Sequence, residues 1–139
     1  MKKKQNLSLS LFLIVFVAFA FFAFKPVINY QEEWEVPAKY KSMENPAAGD
    51  DEAIEIGAEL YAKHCKSCHG KTGLGDGPKS AELDTDCGDF STEEFQQQTD
   101  GELFYKTSFG RDDMPAFNKK VADDEDRWSI VSYLKTLAE

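Results

Sequence analysis

Two thiols separated by two residues, with an imidazole directly after them, stand at Cys65-Lys66-Ser67-Cys68-His69. A C-x-x-C pair serves half of a zinc site, a redox dithiol, or double thioether attachment of a haem. A structural zinc site needs four ligands, usually from two knuckles. The chain has three Cys and two His, and Cys87 stands without a partner knuckle. A redox dithiol is expected near a βαβ pattern, and none is visible. The full pentapeptide, with His in fifth place, is the attachment signature of c-type haem. The two thiols add to the two vinyl groups of one porphyrin edge, and two intervening residues let the chain span that edge. His69 then lies under the iron, where an imidazole nitrogen is the proximal ligand.

A haem held this way sets further requirements. The second ring N–H of the proximal histidine needs an acceptor, which fixes the tautomer and raises ligand basicity. Pro78, which has only a carbonyl to offer, is the candidate; it ends the loop Gly70-Lys71-Thr72-Gly73-Leu74-Gly75-Asp76-Gly77-Pro78. The glycines there let backbone approach the macrocycle edge, and no G-x-x-x-x-G-K-[ST] phosphate loop is present. A soft thioether suits the other axial position. Met114 lies in the irregular loop Ser108–Pro115, directly before Pro115, where packing of a helix face does not account for it. Its competitor Met43 lies in a linker. His64 precedes Cys65 and is placed as a surface or helix-end side chain, because its neighbour's thioether fixes it to the wrong side. Cys87 is the odd cysteine of an exported chain. Asp84, Asp86 and Asp89 are expected to raise its thiol pKa, which favours a free thiol with no essential role over an intermolecular disulfide.

These residues must be positioned by helices, since no segment has strand period. Ile54, Gly57, Ala58, Tyr61 and Ala62 recur at helical spacing and run into the thiol motif, with Asp50 or Asp51 as cap. Gly57 inside a helix costs about 1 kcal/mol against Ala, which predicts a close helix crossing there. Ser91 with Glu94, and Thr99 with Glu102, have capping-box spacing. The last helix starts at Asp123 or Asp124, and Trp128, Val131, Leu134 and Leu137 form its apolar face, widened by Ile130 and Tyr133. That face is the predicted partner of Gly57 and Tyr61.

The 139 residues carry a formal net charge of −9. Four of the 16 Lys and Arg residues, Lys2, Lys3, Lys4 and Lys25, flank an N-terminal apolar run. From Pro26 onward 12 basic residues face 25 acidic ones, a charge of −13. Such a surface repels a nucleic acid backbone and suits a basic docking patch on a redox partner. The run Leu7–Phe24 is an export segment with its positive end in the cytoplasm. As a helix it measures about 27 Å, close to a hydrocarbon core of about 30 Å. Ala18-Phe19-Ala20 resembles a cleavage site, but Phe21, Phe22, Ala23 and Phe24 continue the apolar run beyond it. An uncleaved membrane anchor is therefore favoured over a removed signal peptide. The expected organisation is a signal or anchor over 1–25, a Pro-bearing linker over 26–50, and a haem domain over 51–139. Trp34 and Tyr40 in the linker are read as interfacial anchors or as packing onto that domain.

On these residues the chain resembles the class I c-type cytochromes, over roughly Asp51 to Leu137. The likeness rests on Gly57 and Tyr61, Cys65-Lys66-Ser67-Cys68-His69, Gly75-Asp76-Gly77-Pro78, Met114-Pro115, and Trp128 with Tyr133. It implies an all-α fold around one covalently bound haem c, with first and last helices crossing. It implies His69 and Met114 as axial ligands, the Pro78 carbonyl on His69, and electron transfer as the function. Cys87 departs from the pattern. The expected protein is a one-electron carrier, or a respiratory-complex subunit, at the outer face of the cytoplasmic membrane. The alternative is a haem enzyme, a peroxidase or small-molecule reductase, which requires an open distal position with acid–base groups over it.

Overall fold

The computed structural model describes residues 33–138. The expected anchor over 1–25 lies outside the described residues. Among the described residues, no helix is long and apolar enough to cross a membrane.

The described chain is helical, as expected. Its elements are α1 (Ala38–Lys41), α2 (Asp51–His64), α3 (Lys66–His69), a 3-10 turn (Ser80–Glu82), α4 (Glu93–Gln96), α5 (Asp100–Phe109) and α6 (Asp124–Lys135). Among the described residues no strand forms, and one isolated bridge pairs Arg111 with Met114.

Side-chain caps set the helix starts. The Asp50 carboxylate accepts from the Glu52 N–H at 2.9 Å and the Ala53 N–H at 3.4 Å, opening α2. Asp123 accepts from the Glu125 N–H at 2.9 Å and opens α6, whose first turn carries Asp124, Glu125 and Asp126. Thr99 and Glu102 form both halves of a capping box at α5. The other expected box does not form: Thr92, one residue on, caps α4 by accepting from the Phe95 N–H, and Phe95 has no side-chain acceptor to return the bond. The Ser91 hydroxyl is instead engaged by Asp89 at 2.7 Å.

α2 crosses α6 at Gly57. A Cβ there would overlap the Ser129 carbonyl oxygen, so the approach depends on glycine. One turn on, the Tyr61 and Tyr133 rings lie 5.2 Å apart. Two faces of α6 feed two apolar clusters. Ile130 and Leu134 join Tyr61, Phe90, Phe117 and Val121. Trp128 and Val131 join Leu103 and Phe104 of α5, with the Phe104 and Trp128 rings stacked at 4.0 Å. Arg127 is buried between these helices. Its guanidinium donates to the Ser108 hydroxyl at 3.0 Å, to the Val121 carbonyl and to Asp124.

Residues 35–50, expected to be a linker, pack as part of the same compact unit, which begins at Glu35. Val36 is buried. Tyr40 on α1 packs on Tyr105 and Phe109 of α5, with ring centroids at 4.8 Å and 5.7 Å. Asn45 donates to the Ser132 hydroxyl at 2.9 Å, and that hydroxyl donates to the Ala47 carbonyl at 2.9 Å. The boundary expected at residue 51 therefore lies inside the packed unit. Tyr40 packs onto the domain, one of the two roles expected for it.

Candidate haem attachment site

α2 ends at His64, and Cys65 closes it by donating its N–H to the Tyr61 carbonyl at 2.8 Å. The chain re-enters a helical turn at once. In α3 the Cys68 and His69 N–H groups both donate to the Cys65 carbonyl, at 3.1 Å and 3.0 Å. This single turn carries Cys65, Cys68 and His69, all half-buried. The Tyr61 hydroxyl donates to the Gly70 carbonyl at 2.8 Å and pins the end of the turn to α2. Burial pushes the Tyr61 phenol well above its ordinary range, so it remains a donor.

The following loop packs on the back of the turn. The Gly77 N–H donates to the Cys68 carbonyl at 3.1 Å, and the Lys79 N–H to the Ser67 carbonyl at 2.9 Å. A Cβ at Gly77 would meet the Cys68 carbonyl at 2.6 Å, so this approach also needs glycine.

That packing corrects the expected role of Pro78. Nδ1 of His69 lies 2.8 Å from the carbonyl oxygen of Cys87, not that of Pro78. Gly77 and Lys79 tie the chain on either side of Pro78 to the Ser67–Cys68 backbone. After the turn at Ser80–Glu82 the chain comes back to the His69 ring at Cys87, whose carbonyl faces Nδ1. Facing a carbonyl, Nδ1 must hold the proton, and Nε2 keeps its lone pair for a metal. Burial lowers the His69 pKa and the Cys87 carbonyl partly offsets this, so the imidazole is neutral. The ring is flanked by Phe90 at 4.6 Å, and Phe90 stacks on Phe95 at 4.3 Å. Neither the Cys87 carbonyl nor Phe90 was identified from sequence. Every residue has a carbonyl, so the first left no signal. Phe90 is a lone aromatic in the polar stretch 84–94, and that was a usable signal.

Met114 is half-buried and packs against the cluster of Tyr61, Phe90, Phe117, Val121, Ile130 and Leu134, as does Cys65. Its turn is closed by paired backbone bonds: Arg111 N–H to the Met114 carbonyl at 3.0 Å, and Met114 N–H to the Arg111 carbonyl at 2.8 Å. Met43 lines a different cavity, of about 380 Å³, with Tyr40, Phe104 and Phe109. His64 sits at the end of α2 with its ring 6.2 Å from that of Phe117.

The arrangement does not suit a redox dithiol. Burial first, and then Cys68, push the Cys65 thiol up to about 12, whereas a reactive dithiol needs a depressed value. Among the described residues no group of three or more His, Cys, Asp or Glu side chains could hold a metal ion. The donors do fit a haem: two free thiols on one turn, a neutral imidazole with a fixed tautomer, and a thioether on the rim of an aromatic cluster.

Known proteins agree with that fit. Among solved structures, the chain is similar to one in the Kuenenia stuttgartiensis reducing HAO-like protein complex Kustc0457/Kustc0458. The identity is 26% and the TM-score 0.62, with 79% of this chain and 53% of that chain covered. This chain thus spans about half the length of that one. It is also similar to the KustC0563 c-type cytochrome, at 25% identity and a TM-score of 0.51, with 60% of this chain and 98% of that chain covered. No curated protein matches. The family model described as cytochrome c oxidase, cbb3-type, subunit III matches residues 52–134, from the first turn of α2 to the last turn of α6. The chain belongs to that family, and is a small class I c-type cytochrome that carries covalently bound haem c.

Proposed function

We propose that the protein is a one-electron carrier, held at the outer face of the cytoplasmic membrane by its N-terminal apolar segment, with His69 and Met114 as the two axial ligands. Both iron positions are then filled by the chain, and none is left for a substrate. The observation that carries this reading is a shared wall: Cys65 and Met114 border one buried aromatic cluster, and Phe90 of that cluster lies against the His69 ring.

The haem supplies a one-electron iron couple whose potential is raised by a thioether ligand and apolar surroundings. The chain supplies position. Cys65 and Cys68 fix the group to α3. The Cys87 carbonyl holds the Nδ1 proton of His69 and so directs Nε2 inward. Phe90 restricts rotation of the imidazole. The aromatic cluster keeps water from the site.

The acidic surface fits a redox partner with a basic docking patch. The family description names an oxidase subunit, and one similar structure is a complex of proteins. Both support a place beside other redox subunits, as a tethered carrier or as one of them.

Met114→Ala tests the reading. The variant is expected to lose the sulfur-to-iron charge-transfer band of the ferric protein. Its reduction potential should fall by on the order of 100 mV, within the range that axial ligands command. It should also gain binding of carbon monoxide and cyanide. Haem staining of the denatured polypeptide should persist, since Cys65 and Cys68 are untouched. A parent protein that already binds carbon monoxide rapidly, and matches the variant in spectrum and potential, would replace the carrier by an enzyme with an open distal position.

A further inference from the structure

The turn that ends at Met114 is tied to a second segment by one carboxylate. Oδ2 of Asp113 accepts from the Asp84 N–H at 3.0 Å, the Thr85 N–H at 3.0 Å and the Thr85 hydroxyl at 2.9 Å. Thr85 lies two residues before Cys87, whose carbonyl faces His69 Nδ1 at 2.8 Å. Asp113 itself directly precedes Met114. One residue earlier, Asp112 has φ 51, the positive value that L side chains rarely adopt, and among the described residues it is the sole non-glycine to do so. A turn of that shape persists only where its surroundings hold it. Among the holding contacts are the Arg111–Met114 backbone pair, the Arg111–Asp112 ion pair at 3.2 Å and the three bonds to Asp113.

We propose that Asp113 is a positioning residue: its carboxylate clamps the Met114 turn to the segment that orients His69, and so governs how firmly Met114 is presented. The inference rests on the reading of Met114 as an axial ligand. Three donors converge on one charged oxygen, which makes the bonds charge-assisted and directional. Without the carboxylate, water can satisfy each donor, because the site is exposed. What is lost is the tether between two segments far apart in sequence. The two sides of the site then fluctuate independently, and the competent arrangement of Met114 is populated less.

The test uses the full-length holoprotein with Asp113→Ala, Asp113→Asn and Thr85→Val. Imidazole is the probe of the iron position that Met114 occupies, and amide hydrogen exchange at Met114 and Thr85 is the second readout. Asp113→Ala is expected to bind imidazole about tenfold more tightly, the scale of one charge-assisted hydrogen-bonding group. Its potential should fall, and the protection of the Met114 and Thr85 amides should drop. Asp113→Asn keeps an acceptor oxygen but gives up the charge, and should restore about half of both readouts. Thr85→Val, which removes only the hydroxyl, should give a smaller change of the same sign. The proposal is overturned if Asp113→Ala leaves imidazole affinity, potential and Met114 protection at parent values. It also falls if Asp113→Asn shows the full loss, since an acceptor oxygen left in place would then hold nothing. If the parent already binds imidazole freely and lacks the charge-transfer band, the axial reading of Met114 has failed. The clamp is then decided by exchange alone: lost Met114 protection in Asp113→Ala supports it, and retained protection overturns it.

Discussion

Cys87 divides its work between backbone and side chain. The carbonyl orients His69, while the thiol is half-buried and has its pKa raised, first by burial and then by Cys68, Asp86 and Asp113. The direction was legible from the flanking acids, but the leading cause was not, because burial is a property of the fold. Once Cys68 is consumed in a thioether, its repulsion of a Cys87 thiolate disappears, and burial remains. Cys87→Ser keeps the carbonyl and is expected to keep haem stain, visible spectrum and potential. In the parent holoprotein, mass spectrometry should find one thiol, slow to alkylate. Loss of haem in the serine variant would show that the sulfur matters as well. The thiol pair, His69 and Met114 stand out in the sequence because the chemistry expected of them resides in side-chain type. The acceptor for His69 was not, and the distinctiveness of Pro78 as a residue pointed to the wrong carbonyl.

Helix starts were readable wherever one residue could cap and its neighbours could not, as at Thr99 with Glu102. They were less so at Ser91 and Thr92, where two hydroxyls compete and Asp89 decides by claiming Ser91. Arg127 shows the limit of periodicity. It lies beside Trp128 on α6, and its charge argues for solvent, yet Ser108, Val121 and Asp124 satisfy it in the interior. Gly57 was readable because a glycine inside a strongly periodic helix has an intrinsic penalty. Gly57→Ala sets two effects against each other. Helix propensity favours alanine by about 1 kcal/mol. The new Cβ would strike the Ser129 carbonyl, which is backbone and cannot swing aside, and overpacking of that kind costs about 1–3 kcal/mol. A contact this close belongs at the upper end, so the clash wins. With a net loss of about 2 kcal/mol, the variant holoprotein should melt about 8–16 °C lower, at roughly 4–8 °C per kcal/mol for a domain of this size. A raised midpoint in calorimetry would mean that α2 and α6 separate more easily than their packing implies.

Seen whole, the molecule has two charge scales, and they oppose each other. Residues 26–139 sum to −13, which favours a basic partner. Beside the haem motif, however, Lys63, Lys66, Lys119 and Lys120 are exposed, and none is in an ion pair with a described residue. Lys63 and Lys120 add to burial in lowering the His64 pKa, which places positive potential at that edge. The composition showed the total, but not this placement, because Phe117–Lys120 meets the end of α2 only in the fold. Screening separates the two scales. At about 10 mM salt the Debye length is about 30 Å, and a reagent feels the whole charge; at about 150 mM it is about 8 Å, and the local lysines dominate. Reduction by a small cationic metal complex is therefore expected to be fast at low salt and to slow several-fold as salt rises, with the opposite trend for an anionic reductant. Stopped-flow rates over that range decide the matter. If the cationic reagent instead speeds up with salt, the lysine edge governs encounter even at long range. The partner's docking patch would then have to be acidic, not basic.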